Sequence, residues 1–369
     1  MSQVQAVIKE KVDKIYILKD NRILIYKKDQ HTLCVMNNQN TFMKEIKLEL
    51  NNKLDDLIIL SNGNIVISIG ESVYIYKIDK KDFKLIQKIK LEIKKRGLRS
   101  FYDYGEEFIP DFTKAKCCEY KNGKYLLILK RIPIDDSKYG LYNYSSIIDI
   151  FSLKKEDCYS FTKSIKFPLG VCGRMLYNNY NNYLIIHGVV GSNPMTTGYV
   201  VYLFDLENQK EKKLNSMSFF NEKHKLYFIS NNKVLHYYID FNKCKINIYD
   251  LENNKESISK TIENKNNYKI EYLYNNEKYI YFYLVKKKNK YEKEELIPDN
   301  ELTFCKYNFN FDLIEEAHCP YNAKFGYNNI IKIKPNLLIL YGLNEMVILK
   351  GENSLDNKKE KNMLSEIFE

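Results

Sequence analysis

Short runs of apolar residues that alternate with polar ones recur along most of the chain, and polar turns separate them. The stretch from Asp55 to Glu92 shows this pattern most clearly, with runs at 57–60, 64–69, 72–78 and 83–91. Ser61-Asn62-Gly63, between the first two runs, is typical of a hairpin turn. The stretch therefore predicts four antiparallel strands joined by three turns.

The same four-strand unit can be followed along the sequence by a large residue that ends the third strand before a polar turn. These anchor residues are Met36, Tyr76, Phe151, Phe204, Tyr249, Tyr307 and Leu349. Their spacing fits a period of about 40 to 45 residues with insertions, which is typical of four-stranded propeller blades. The sequence thus predicts an all-β fold, a seven-bladed β-propeller of four-stranded antiparallel blades over residues 1–350.

The last repeat contains three strands, and the N-terminus offers a fourth. Residues 5–12 resemble the outer strand at 84–90 in their alternation of apolar and polar positions. We therefore expect the N-terminal strand to complete the last blade, which would leave no free sheet edge at the junction. The tail, 351–369, breaks the pattern, and Met363, Leu364, Ile367 and Phe368 would share one face of a short helix that docks on the propeller or on a partner.

Composition is that of a globular protein with a basic surface. Of 369 residues, 44% are apolar and 28% charged, and the formal net charge is +11. The lysines are spread along the chain, a pattern that indicates either a solvated surface or a surface for nucleic acid or an anionic membrane. Arginine is rare, with five residues in the chain.

Targeting signals and cysteine use indicate an intracellular, cytoplasmic protein. The N-terminal residues show no apolar core of a secretion signal, and no apolar run is long enough to span a bilayer. The eight cysteines fall mostly inside apolar strand patterns. This favours buried free thiols in a reducing compartment over disulfides.

No pattern in the sequence predicts an enzyme, a cofactor site or a metal site. His318-Cys319 and Cys117-Cys118 are neighbours in strands, where adjacent side chains point to opposite faces. His187 and His236 lie among apolar residues, as core histidines do. Paired carboxylates at 135–136, 294–295 and 315–316 have nothing that would place them opposite each other for acid–base catalysis.

Four insertions interrupt the strand pattern, at 93–113, 131–145, 191–197 and 285–301. In a propeller all four would open on one face of the ring. Long loops on a rigid scaffold often carry binding, although such a face also simply tolerates insertion. We therefore treat this face as the first candidate contact surface.

The first insertion is rich in basic and aromatic residues. The candidate partner-binding residues are Lys94, Lys95, Arg96, Arg99, Phe101, Tyr102 and Tyr104, with Arg131 and Arg174 expected in the same sector. Arginine and aromatic side chains are enriched in the hot spots of protein interfaces. A phosphate or anionic-lipid contact and a solvated loop are the alternatives.

The ends of two third strands carry a family resemblance. Phe204-Asp205 and Tyr249-Asp250 stand where WD40-repeat propellers have a Trp-Asp pair, and the sequences that follow, FDLENQKEKK and YDLENNKESI, are repeats of each other. The chain resembles that family over residues 4–350, although it has no Trp and no Gly-His pair. The resemblance implies a scaffold that binds proteins of a larger assembly. The alternative is a basic propeller that binds RNA or an anionic phospholipid membrane.

Overall fold

The computed structural model of the chain describes residues 2–8, 12–20, 22–36, 46–51, 54–79, 82–91, 115–133, 144–154, 157–167, 171–177, 183–190, 198–205, 208, 210–217, 225–240, 243–253, 255–263, 269–292, 295–318, 327–333, 337–342 and 346–351. Strands and turns make up these residues, and no α-helix occurs among them. The predicted tail, apart from Gly351, lies outside the described residues.

The strands follow one another along the whole described chain. They are β1 (Ser2–Ile8), β2 (Lys14–Ile17), β3 (Ile23–Lys27), β4 (Thr32–Met36), β5 (Ile46–Glu49), β6 (Asp56–Ile59), β7 (Ile65–Ile69), β8 (Ser72–Ile78), β9 (Phe83–Lys90), β10 (Lys116–Tyr120), β11 (Tyr125–Pro133), β12 (Tyr144–Leu153), β13 (Tyr159–Phe167), β14 (Val171–Tyr177), β15 (Tyr183–Val190), β16 (Gly198–Asp205), β17 (Lys210–Met217), β18 (Lys225–Ser230), β19 (Lys233–Asp240), β20 (Lys243–Asp250), β21 (Lys255–Glu263), β22 (Lys269–Asn275), β23 (Tyr279–Glu292), β24 (Glu295–Asn308), β25 (Leu313–His318), β26 (Tyr327–Ile333), β27 (Leu337–Gly342) and β28 (Met346–Gly351).

The strands pair into four-stranded antiparallel sheets. Sheet 1 is β2–β5, sheet 2 is β6–β9, sheet 3 is β10–β13, sheet 4 is β14–β17, sheet 5 is β18–β21 and sheet 6 is β22–β25. Sheet 7 is formed by β26, β27 and β28 with β1 as its fourth strand. Within each sheet consecutive strands are neighbours, which is the hairpin connectivity that the polar turns predicted.

The N-terminal strand completes the last sheet, as the sequence predicted. Strand β1 pairs antiparallel with β28, so that Ser2 lies opposite Gly351 and Ile8 opposite Met346. A bulge between Val4 and Ala6 interrupts the register. The hydrogen-bonding edge of β28 is therefore covered by chain that is distant in sequence.

The predicted single ring of seven blades is corrected by the division of the chain. Residues 1–49 and 223–369 form one compact unit, and residues 50–222 form a second. The first unit holds sheets 1, 5, 6 and 7, and the second holds sheets 2, 3 and 4. Repeat spacing counts groups of strands, but closure depends on packing between sheets, which spacing does not encode. The all-β propeller class stands, and the single seven-bladed ring is replaced by these two units.

Apolar side chains between neighbouring sheets form the core of each unit. In the second unit, Val73 and Ile75 of sheet 2 pack with Leu126 and Ile128 of sheet 3. The other face of sheet 3 packs on sheet 4 through Leu127, Ile148, Leu184 and Phe204. In the first unit, separate clusters join sheet 7 to sheet 1, sheet 7 to sheet 6, and sheet 5 to sheet 6. Sheets 3, 6 and 7 are thus apolar on both faces, which is why their strands read as dense apolar runs.

Candidate interaction surfaces

Most of the predicted partner-binding residues lie outside the described residues. These are Lys94, Lys95, Arg96, Arg99, Phe101, Tyr102 and Tyr104. The structure describes Arg131 and Arg174 through their backbone alone. Arg131 pairs with Ser146 in sheet 3, and Arg174 pairs with His187 in sheet 4. Their convergence with the first insertion stays a prediction.

The insertion predicted at 285–301 is a pair of strands rather than a loop. Strands β23 and β24 are 14 residues long each and pair continuously from Tyr279 with Asn308 to Glu292 with Glu295. The sequence predicts this segment as an inserted loop between a second and a third strand. Cross-strand backbone pairing needs no buried face, so a charged sequence can still form a hairpin. That part of the prediction was wrong.

The end of this hairpin extends beyond its neighbours in sheet 6. Strand β22 pairs with β23 no further than Val285, and β25 pairs with β24 no further than Thr303. Residues 286–292 and 295–301 therefore pair with each other alone in the described structure, and we call them the charged ribbon. Its register sets Lys286 opposite Glu301 and Lys288 opposite Asp299. One strand is rich in lysine, and the other is rich in acidic residues.

A bulge recurs in the outer strands at the anchor residues. The register of the fourth strand shifts immediately before Tyr76, Phe151, Tyr249 and Tyr307. The residues opposite three of these anchors are Leu85, Phe161 and Leu313. All three are exposed, together with Ile314. A bulge adds an unpaired residue and bends the strand, and these exposed side chains lie at or next to such a bend.

Buried tyrosines fasten sheet 5 to sheet 6. The Tyr237 hydroxyl donates to Glu271 Oε2 at 3.1 Å and accepts from the Tyr272 backbone N–H at 3.1 Å. The Tyr227 and Tyr272 rings lie 4.5 Å apart. Burial raises the pKa of Tyr237 and of Tyr272, so both phenols stay protonated at neutral pH. In a chain with 32 Tyr and no Trp, tyrosine provides these contacts between sheets.

The aspartates in the WD40-like positions stabilise turns. Asp205 Oδ1 accepts from the Asn208 backbone N–H at 3.1 Å, and Asp250 Oδ1 accepts from that of Asn253 at 3.0 Å. The side-chain amides of both asparagines donate to the second carboxylate oxygen. The repeated FDLEN and YDLEN sequences thus encode the same turn between a third and a fourth strand.

Four buried thiols are poorly suited to nucleophilic chemistry. Burial raises the pKa of Cys118, Cys244 and Cys305 to about 12 and that of Cys117 well above its usual value. Such thiols stay protonated at neutral pH. His236 is fully buried and stacks on Tyr238 with ring centres 5.9 Å apart, as expected for a core histidine. The described residues contain no cluster of three or more His, Cys, Asp or Glu that could hold a metal ion.

Sequence comparison links the chain to no family. No protein-family model matches it, and no curated protein is significantly similar to it. Across the described part of the chain, no helix is long and apolar enough to cross a membrane.

Solved structures show the fold class. The WD40 domain of Pan2 from Neurospora crassa matches with a TM-score of 0.55 at 9% identity, covering 97% of this chain and 98% of that one. Selenomethionine-substituted virginiamycin B lyase from Staphylococcus aureus matches with a TM-score of 0.53 at 11% identity, covering 95% and 100%. The Dos1 propeller matches with a TM-score of 0.50 at 9% identity, covering 92% and 78%. The chain is therefore a divergent β-propeller. Since a WD40 domain and a lyase both match, the fold does not indicate the function.

Proposed function

We propose that this protein is a non-catalytic scaffold or structural subunit of an intracellular complex, and that it binds partner proteins through its inserted segments. The observation that carries the proposal is the charged ribbon. It extends seven residue pairs beyond its neighbouring strands, roughly 24 Å at the usual rise per residue. A projecting element on a rigid sheet is a common way to present a contact surface.

The backbone of the ribbon supports binding by strand addition. In the described structure, neither strand of the ribbon pairs with a third strand, so each offers N–H and C=O groups to an extended partner segment. One edge of the ribbon is formed by β23, which carries Lys286, Lys287, Lys288 and Lys290. The other edge is formed by β24, which carries Glu295, Asp299 and Glu301. Edges of opposite charge would select different partners, or hold one partner in one orientation.

The inserted segment at 93–113 is the second contact region of this proposal. Its arginine and aromatic residues have the composition of an interface hot spot. The buried thiols at 117, 118, 244 and 305 are not candidate nucleophiles, because a cysteine nucleophile needs a depressed pKa and burial raises theirs.

Shortening the ribbon tests the proposal. Residues 286–301 are replaced by Asn-Gly, so that Val285 and Leu302 are joined by a tight turn. We expect co-purifying proteins from the native cells to be lost while circular dichroism and the melting temperature are retained, since the core cluster between sheets 6 and 7 that contains Tyr283, Val285 and Phe304 is kept. The matched control replaces Lys243 and Lys255, exposed lysines of sheet 5, by Ala. Unchanged co-purification with the shortened ribbon would contradict the assignment.

The loop is tested in the same way. Replacing Arg96, Arg99, Phe101 and Tyr102 together by Ala is expected to abolish the association and leave the fold intact. Repeating the purification at two salt concentrations separates a protein interface from RNA binding. Many lysine–phosphate contacts would make affinity fall steeply with salt, whereas an aromatic interface should weaken little.

A further inference from the structure

Two hairpin turns of the second unit contain an Asn-Gly pair. Asn62-Gly63 lies between β6 and β7, and Asn122-Gly123 lies between β10 and β11; the sequence contains no other such pair. Both asparagines are exposed, so water reaches each of them. Asparagine before glycine is prone to deamidation, because glycine has no side chain to keep its backbone nitrogen away from the asparagine amide. Sequence and exposure therefore do not distinguish the two turns.

Hydrogen bonds hold the first turn against this reaction. Asn62 Oδ1 accepts from the Asn64 backbone N–H at 3.0 Å, and Asn62 Nδ2 donates to Asp157 Oδ1 at 3.4 Å. The Gly63 backbone N–H donates to the Leu60 carbonyl oxygen at 2.8 Å. The amide that would be attacked and the nitrogen that would attack it are thus both engaged. These bonds have to break before the two groups can meet in a reactive geometry.

The second turn leaves the same two groups available. The Lys124 backbone N–H donates to the Lys121 carbonyl oxygen at 3.1 Å, which closes the turn around the Asn-Gly pair. Within the described structure, neither the Asn122 side chain nor the Gly123 backbone N–H forms a hydrogen bond. Lys121 and Asn122 both have a φ of 51°, a left-handed conformation that costs energy for residues other than glycine. The second turn is therefore strained, and its reacting groups are not held apart.

We propose that Asn122 is a site of spontaneous deamidation in the folded protein and that Asn62 is protected from it. The Gly123 backbone nitrogen forms a bond to Asn122 Cγ, its proton passes to the departing side-chain nitrogen, and ammonia leaves. Water then opens the resulting succinimide ring and gives aspartate or isoaspartate at position 122. The reaction adds a negative charge to a turn that contains Lys121 and Lys124.

The backbone beside Asn122 contributes to the junction between sheets 2 and 3. The Gly123 carbonyl oxygen accepts from the Tyr159 hydroxyl at 2.7 Å. Glu119 Oε1 accepts from the Ser61 backbone N–H of sheet 2 at 2.6 Å, and a Cβ at Gly123 would lie 2.8 Å from that oxygen. Isoaspartate inserts an extra carbon into the backbone and displaces the Gly123 carbonyl, whereas aspartate leaves the backbone length unchanged. Isoaspartate should therefore loosen this junction.

The test is peptide mapping of the full chain after incubation in a mildly alkaline buffer. Chromatography with mass spectrometry measures the conversion of each asparagine, and an isoaspartate-specific methyltransferase measures the isoaspartate. We expect Asn122 to convert about tenfold or more faster than Asn62, because several hydrogen bonds have to break first at Asn62. The chain unfolded in guanidinium is the matched control. There the two asparagines should convert at similar rates, because the structure that distinguishes them is gone.

Melting temperatures separate the two products. Freshly prepared Asn122→Asp should melt with the wild type, whereas the incubated wild type should melt lower in proportion to its isoaspartate content. Asn122→Gly removes the reacting amide and suits a positive φ. It should keep its melting temperature through the same incubation.

Several results would overturn the proposal. They are equal conversion of Asn62 and Asn122 in the folded chain, faster conversion at Asn62, and no conversion at Asn122 under conditions in which the unfolded chain reacts. An unchanged melting temperature after isoaspartate has formed would overturn the effect on the junction. The proposal goes beyond the scaffold function and can fail separately. The shortened ribbon should leave the rate at Asn122 unchanged, and Asn122→Gly should retain the protein partners.

Discussion

At the residue scale, sheet 3 contains a buried ion pair, and burying its two charges away from water is costly unless they stay paired. Lys130 Nζ lies 2.5 Å from Asp149 Oδ2, and the two side chains are 12% and 6% exposed. Ser164 Oγ donates to the other carboxylate oxygen of Asp149 at 2.7 Å. Removing one member of a buried pair leaves an uncompensated charge, whereas replacing both members with apolar residues avoids that cost.

We therefore predict that Asp149→Leu lowers the free energy of unfolding by roughly 3–5 kcal/mol. The double variant Lys130→Met with Asp149→Leu should recover most of that loss. Urea unfolding of the two variants beside the wild type measures both effects. A double variant as unstable as the single one would show that the charge of Lys130 is not what makes the substitution costly.

The turn aspartate Asp250 gives a prediction for pH. Hydrogen bonds from the backbone and side chain of Asn253 lower the pKa of Asp250 in the folded protein. A carboxyl group with a lowered folded pKa stabilises the protein above its unfolded pKa, about 4, and the contribution is lost as pH falls through the folded pKa. The urea midpoint of Asp250→Asn should thus lie below that of the wild type at pH 7 and approach it near pH 2. A constant difference across this range would contradict the assignment.

Some contacts of single residues repeat, although the sequence did not reveal them. Asp13 Oδ2 accepts from the Lys28 backbone N–H at 2.6 Å, and Asp55 Oδ2 accepts from that of Gly70 at 2.6 Å. The two aspartates precede the first strands of sheets 1 and 2. The shared signal is one polar residue per repeat, which is too sparse to stand out from a composition rich in Asp, Asn and Lys. Apolar periodicity is repeated many times in each sheet and is much easier to detect.

At the element scale, strand β1 closes sheet 7 without sequence continuity. Its pairing covers the edge of β28, whose residues Met346 to Leu349 are buried. Deleting residues 2–8 should lower the free energy of unfolding by about 5 kcal/mol, given about 1 kcal/mol for each lost hydrogen bond. It should also promote aggregation through the uncovered edge.

Urea unfolding and light scattering measure these two effects of the deletion. A synthetic peptide of residues 1–12, added in excess, should restore the melting temperature by occupying the vacant edge. A scrambled peptide of the same composition is the control. If the deleted protein melts with the wild type, the pairing of β1 contributes nothing to stability.

Elements with apolar alternation were predictable, and the charged ribbon was not. The runs at 57–60 and 72–78 correspond to β6 and β8. In β8 the buried residues Val73 and Ile75 alternate with less buried ones, and burial of one face is what imposes an alternating sequence pattern. The ribbon sequences, KKKNKYE and ELIPDNE, show no such alternation. The strands of the ribbon are set by the continuation of a hairpin that begins at Tyr279 and Asn308 inside the core of sheet 6. Of the candidate partner-binding residues, only Arg131 and Arg174 can be placed, on β11 and β14.

At the scale of the whole molecule, the sequence predicted the repeats but not how they are grouped. The anchor residues mark real strand ends, and the structure adds that four of them sit at bulges of the outer strands. Grouping depends on contacts between sheets, such as the Gln87–Tyr159 and Tyr237–Glu271 hydrogen bonds. These contacts join residues 72 and 34 positions apart, and no local pattern encodes them.

The pairing of β1 with β28 also brings the first and last strands of the described chain side by side in sheet 7. Ser2 faces Gly351 across the pair, so a short glycine linker between them would turn two distant strands into an ordinary hairpin. The gene could then be circularly permuted, with new ends opened in an exposed turn such as 230–233. Every strand would keep its neighbours. The four strands of sheet 7, β26, β27, β28 and β1, would then follow one another in the sequence.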